Sequence, residues 1–302
     1  MNDSKKKITH RMVFACIGIC FFAAALAVGT FKDEAIARTL FSKDDIICTA
    51  FGIIGPMPVF FILAPFTGAL IQRSLASERK ARIPLALISL ILLLTVGFLG
   101  AKAFTSSDCL DSVIPSVRGK MALIIPIMIF VFLPFGYLGY RLAKKNEDVL
   151  LVKRIIMLLL AVLIAYLTLE LVKGTMRRPR YRTAVKGFEG VGFVPWYEKF
   201  PFTKELPGLL GIEKTEFASF PSGHSMMSMS SFITFPALTW LIPSLRGREQ
   251  RLAACGVLYS LAIMISRLTV GAHYLSDVSA SGVIMLTFSL IYMALLRRTY
   301  KE

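Results

Sequence analysis

The sequence predicts an all-α fold, a polytopic transmembrane helix bundle, on three observations. Its 302 residues are 55% hydrophobic and 18% charged, against about 25% charged in an average soluble domain. The apolar residues gather in runs near the roughly 20 residues a helix needs to cross a bilayer. No low-complexity tract or long polar segment interrupts them, which excludes disordered and collagenous classes. The formal charge is +16, from 35 Lys and Arg against 19 Asp and Glu. In a soluble protein that excess would suggest nucleic acid. Here its first explanation is orientation, because cytoplasmic loops retain Lys and Arg, and no nucleic-acid partner is expected.

About eight spans follow in order, at 13–31, 49–71, 83–104, 122–142, 155–172, 222–242, 252–270 and 278–296. The first follows Lys5, Lys6 and Lys7, as a signal peptide would. Its apolar run exceeds the roughly 7 to 15 residues of a signal core, and no small-x-small site closes it; it reads as an uncleaved helix. The whole is one membrane domain, 1–302, with N-terminal spans of unassigned role in 1–150 and the motif-bearing part in 151–302.

Charge orients these spans. Lys5–Lys7 and Arg11; Arg73, Arg79, Lys80 and Arg82; Arg141, Lys144, Lys145, Lys153 and Arg154; Arg246, Arg248 and Arg251; and Arg297, Arg298 and Lys301 all fall on one side of an eight-span chain. The positive-inside rule makes that side cytoplasmic, so both termini are expected inside a cell membrane. The opposite side has mixed-charge loops at 32–48, with Asp33, Glu34, Asp44 and Asp45, and at 105–120, with Asp108 and Asp111. Its third loop, 174–220, holds Arg177, Arg178, Arg180 and Arg182. Positive charge has no topogenic use there, and an anionic ligand is the natural explanation.

Cys16, Cys20 and Cys255 fall within spans and read as small apolar fillers. Cys48 and Cys109 share the outer side, where a disulfide is chemically possible. No CxxC, HExxH or carboxylate-rich cluster points to a metal, and no cofactor is expected.

Two of the three histidines sit at span ends on that outer side. In Phe220-Pro221-Ser222-Gly223-His224-Ser225, Ser222 can cap a helix whose first free N–H groups, with the positive end of the helix dipole, bind anions; a capped helix with a locally bonded histidine fits the same residues. In Ser266-Arg267-Leu268-Thr269-Val270-Gly271-Ala272-His273-Tyr274-Leu275-Ser276-Asp277, His273 and Asp277 share one helical face. The carboxylate can then accept from the ring N–H and leave the other nitrogen as nucleophile or base; a capping pair with Arg267 as interfacial anchor is the alternative. Aromatics at Phe188, Phe193, Trp196, Tyr197, Phe200 and Phe202 suit an interfacial belt or a substrate-selective lid.

The three stretches together, Lys173 with Arg180, then Pro221 to His224, then Ser266, Arg267, His273 and Asp277, resemble the K-x6-R-P, P-S-G-H and S-R-x5-H-x3-D signature of the type-2 phosphatidic acid phosphatase and haloperoxidase superfamily. Tyr181 stands where that signature has proline, and Arg178-Pro179 lies two residues early. The resemblance runs from about Leu169 to the C-terminus and implies a six-helix core. It also implies that Lys173, Arg180 (with Arg178 second), Ser222, Gly223 and Arg267 hold a phosphate. His273, oriented by Asp277, would attack phosphorus, and His224 would protonate the leaving oxygen. The expected substrate is a lipid phosphate or pyrophosphate whose head group reaches the extracytoplasmic edge from surrounding lipids. A lipid phosphotransferase using the same phosphohistidine and a non-catalytic lipid-phosphate binder or transporter are the alternatives. A soluble haloperoxidase is excluded by the spans.

Overall fold

The computed structural model describes residues 3–43, 45–78 and 80–300; Asp44, Arg79 and Lys301, used above in the charge pattern, lie outside the described residues. All regular structure among the described residues is helical. The long helices are α1 (Asp3–Leu40), α2 (Ile46–Ile54) running into α3 (Met57–Leu75), and α4 (Arg82–Phe104). α5 (Met121–Ile127) continues through a π turn into α6 (Leu133–Lys144), and α7 (Leu151–Met176) is followed by the single turns α8 (Tyr181–Ala184) and α9 (Leu206–Leu209). Last come α10 (Gly223–Met229), α11 (Ser231–Ala237), α12 (Glu249–Thr269) and α13 (Leu275–Thr299).

Seven helical stretches among the described residues are long and apolar enough to cross a membrane, against about eight expected. The difference is 222–242. That segment does traverse the bundle, from Ser222 beside Asp277 to Trp240, whose carbonyl accepts from Asn146 Nδ2 at 2.5 Å near the start of α7. It does so as α10, α11 and a 3₁₀ turn, with Pro236 inside α11. Ser228 and Ser230 hydroxyls donate to carbonyls three residues back, the local bonding by which serine competes with a continuous helical ladder.

The second departure is α1. Asp33 and Glu34, expected in a loop, lie inside the helix, which continues to Leu40. α1 packs along α13, while α3, α4 and α6 form a second group, with α7, α10, α11 and α12 between them. The cationic connections meet at one end: Lys7 pairs with Glu249 (3.7 Å), and Arg154 lies over the Tyr300 ring (4.3 Å). All three motifs lie at the other end.

α3 and α6 touch backbone to backbone. A Cβ on Gly139 would stand 1.9 Å from the Pro65 carbonyl oxygen, and one on Gly68 would stand 1.8 Å from that of Gly136. Helices without a hydrophobic drive between them associate through such small-residue contacts. Gly139→Ala should therefore cost about 1–3 kcal/mol through overpacking, seen as a lower melting temperature in detergent. An unchanged melting temperature would contradict the contact.

Candidate active site

α7 carries Lys173 in its last turn and stops where Arg177 adopts a left-handed conformation (φ 51°). That turn sends 178–180 off the helix axis toward the start of α13. Ser222 caps α10, its hydroxyl oxygen accepting from the Ser225 N–H at 3.3 Å, so the N–H groups of Gly223 and His224 belong to the unpaired positive end of the helix. Lys173 lies alongside, since a Cβ on Gly223 would come within 3.2 Å of its Nζ.

α12 ends in a Schellman turn. The Gly271 N–H donates to the Leu268 carbonyl and the Ala272 N–H to that of Arg267 (both 3.1 Å), with Gly271 at φ 64°, the left-handed geometry glycine adopts without steric cost. The reversal places His273 ahead of α13 with its side chain 1% exposed. Its Nδ1 lies 2.7 Å from the Ser219 carbonyl oxygen, an acceptor that requires the proton on Nδ1 and leaves Nε2 unprotonated. The expected Asp277 bond is displaced by this one: the carboxylate is 3.6 Å from Nδ1, beyond hydrogen-bond length. Burial pushes the His273 imidazole down to about 4, against the opposing pull of Asp277.

Asp277 is instead the anchor of a buried lattice. Its Oδ2 accepts from the Ser219 hydroxyl (2.5 Å) and the Tyr274 N–H (2.8 Å), and its Oδ1 from Arg178 Nη1 (2.6 Å). Arg178 also donates through Nη1 to the Ser276 hydroxyl (2.8 Å), through Nη2 to Asp33 on α1 (2.9 Å) and through Nε to the Val194 carbonyl (2.7 Å). Its guanidinium carbon sits 3.9 Å from the centroid of the Tyr274 ring. Arg178, expected as the second phosphate ligand, is thus a structural clamp: each guanidinium nitrogen already has a partner and the residue is 1% exposed.

Arg180 is placed differently. Its Nη1 donates to Asp108 Oδ1 (2.6 Å) and lies 3.5 Å from Glu216, while its Nε is buried without a partner. Arg182 completes the group, donating to the same Asp108 oxygen (2.9 Å) and to Glu216 (2.6 and 3.1 Å). Burial opposes ionisation of both acids, but Arg180 and Arg182 outweigh it, holding Asp108 well below the usual carboxylate range and Glu216 down to about 2. Arg267 donates to the Cys48 carbonyl (3.0 Å) across Gly52, where a Cβ would meet its guanidinium at 2.2 Å.

Lys173, Arg180, Ser222, Gly223, His224, Arg267, His273 and Asp277 therefore share one end of the bundle, with Arg178 beside them but turned away. Sequence reasoning missed Ser219, Asp33, Ser276, Glu216 and the roles of Asp108 and Cys109. Cys48 and Cys109 are both free rather than bridged, and Cys109 Sγ lies 3.6 Å from His224 Nε2. The aromatic loop is packed rather than spread as a belt. Phe200 and Phe217 stack in a small core of their own (5.4 Å), Trp196 stacks on Phe220 (5.4 Å) and donates to Thr30 of α1 (2.9 Å), and Phe193 meets Tyr274 edge-on.

Removing Arg178 would leave Asp33 and Asp277 buried and uncompensated. Arg178→Ala should cost about 3–5 kcal/mol of stability. Arg178→Lys should recover only part, because a lysine lacks the planar fork that reaches both acids. Thermal unfolding of the detergent-purified variants measures this, and a wild-type melting temperature for Arg178→Ala would refute the clamp.

Neither the curated proteins nor the solved structures include one that significantly matches this chain. The model of the PAP2 superfamily does match, over residues 154–301, a stretch that begins within α7 and contains all three motifs. This C-terminal half of the chain belongs to the PAP2 superfamily.

Proposed function

We propose that the protein is a membrane phosphatase hydrolysing a lipid phosphate or pyrophosphate head group at the extracytoplasmic face, through a phosphohistidine on His273. Superfamily membership supports phosphatase chemistry on a phosphate ester. The observation that carries the mechanism is the buried His273 imidazole, whose Nδ1 donates to the Ser219 carbonyl and whose Nε2 keeps a free lone pair. Arg180 and Lys173 both act electrostatically on that ring. With Arg267 and the α10 N–H groups they would neutralise the phosphoryl oxygens, where this reaction needs positive charge. His273 Nε2 attacks phosphorus as the bond to the leaving oxygen breaks, and His224 gives that oxygen its proton. His224 then takes a proton from water, whose oxygen displaces the histidine and releases inorganic phosphate. A bundle of long apolar helices around the site favours a substrate anchored in lipid. The basic connections at the opposite end favour cytoplasmic termini.

His273→Ala should abolish phosphate release from lipid phosphates while the protein stays folded in detergent; near-normal release would sink the assignment. Phosphate appearing only on an acceptor lipid would identify a phosphotransferase. Arg180→Ala should lower kcat/KM by about 2–4 kcal/mol of transition-state stabilisation, with lysine rescuing in part. Because side chains supply the positive charge, activity should survive EDTA, and vanadate should inhibit as a mimic of the pentacoordinate phosphoryl state. Activity that vanished with chelator and returned with magnesium would refute this.

The pH profile has a definite sign. Protonation removes the His273 nucleophile, and burial holds its pKa at about 4. The acid limb of kcat/KM assigned to it, after correction for substrate ionisation, should fall near pH 4 rather than near the ordinary histidine value of about 6.5.

A further inference from the structure

The superfamily match begins at residue 154, yet two residues far upstream of it reach into the site. Asp108 and Cys109 follow α4 in the 105–120 connection, 8% and 0% exposed. From this geometry we infer that the Asp108-Cys109 pair is a positioning device for the phosphatase site, Asp108 aiming the Arg180 guanidinium and Cys109 holding His224. The inference rests on the phosphatase reading above and adds to it that the first half of the chain completes the catalytic unit.

For Asp108 the argument is directional. A guanidinium offers its donors along fixed edges. One carboxylate oxygen, Asp108 Oδ1, takes Nη1 of Arg180 at 2.6 Å and Nη2 of Arg182 at 2.9 Å, while Nε of Arg180 is buried without a partner. A phosphate oxygen arriving at Arg180 would therefore find Nε unsatisfied, with Asp108 and Glu216 restraining the rest of the group. The acid also tempers local repulsion, since Lys173, Arg180, Arg182 and Arg267 converge here.

For Cys109 the argument concerns the tautomer. Burial pushes its thiol up to about 12, so it remains S–H, and it donates to the Gly52 carbonyl at 3.5 Å. Its sulfur lone pair then faces His224 Nε2 at 3.6 Å, the arrangement in which Nε2 carries the proton of the neutral ring and Nδ1 is the basic nitrogen. Asp108 is also the carboxylate that acts on His224, which in addition feels Arg267, His273 and Arg180.

The test uses full-length protein in detergent, with phosphatidic acid as substrate and vanadate as the phosphate probe. Asp108→Asn should lower kcat/KM on the order of a hundredfold, the scale of a small misplacement of a reacting group, and should weaken vanadate inhibition and vanadate-induced thermal stabilisation. Asp108→Glu should restore part of the loss. Cys109→Ala should lower kcat more than it raises KM, and Cys109→Ser should recover activity relative to alanine. Asp111→Asn is the loop control: Asp111 accepts from the Val117 and Arg118 N–H groups (3.0 and 3.2 Å), so this change disturbs the connection without touching Arg180 or His224, and activity should stay near wild type.

The inference is overturned if Asp108→Asn matches wild type, if it binds vanadate more tightly (Asp108 then competes with phosphate), or if Asp111→Asn loses as much. Wild-type protein that neither releases phosphate nor is stabilised by vanadate would overturn the phosphatase reading itself, a result distinguishable from any of these.

Discussion

One buried guanidinium ties α1, α13 and the long loop together at the motif end of the bundle. Arg178 joins Asp277 at the start of α13 to Asp33 of α1, Ser276 between them and the Val194 carbonyl of the long loop. Three separate pieces of chain are thereby held around a single planar group, stacked on Tyr274. Taking these charges out of water costs several kcal/mol per ion. The geometry offsets it because each carboxylate oxygen engaged by Arg178 also accepts, or lies beside one that accepts, from Ser219, Tyr274 or Ser276. Such a lattice is stable only when complete, since one absent member exposes the others' desolvation.

From that clamp follows the involvement of the N-terminal spans. α1 can reach the lattice only if it lies flush on α13: a Cβ on Gly29 would stand 2.8 Å from the Ser276 nitrogen. α2 does the same for Arg267 through Gly52, and the connection after α4 delivers Asp108. The first half of the chain thus supplies two carboxylates to cations carried by the second half, and two glycines that let it approach Ser276 and Arg267 closely. A reading that assigns chemistry to 151–302 alone leaves Arg178, Arg180 and Arg182 each without one of their two acidic partners, Asp33 or Asp108.

How much of this was legible in the sequence divides along a physical line. The spans were legible because a bilayer imposes a length on any helix that crosses it. The motif residues were legible because they stand in the order and, but for Tyr181, at the spacings of the superfamily signature they resemble. The break inside 222–242 was not, because its serines look like scattered polar exceptions until their hydroxyls are seen bonding back to the helix. Asp33 was read as a loop residue on account of its charge. Its partner lies 145 residues away, a distance at which no local pattern speaks. The departure at Tyr181 finds its meaning in packing, where the ring meets Phe41 and Tyr274 edge-on in a place a proline could not fill. Ser219 was beyond reach for a simpler reason: the atom that orients His273 is a backbone carbonyl, which every residue has.

That carbonyl also explains why Asp277 stands back. A carboxylate bonded directly to Nδ1 would stabilise the imidazolium and raise the ring's proton affinity, against the opposing influence of Arg180 and Lys173. A neutral carbonyl fixes the same tautomer without adding charge. Asp277, 3.6 Å from the ring and paired with Arg178, remains near enough to steady positive charge on the imidazole. The clamp on Arg178 therefore does more than hold the helices together. Because Arg178 pairs with the same carboxylate that opposes the effect of burial on His273, the ion pair that ties the helices together also bears on the basicity of that ring.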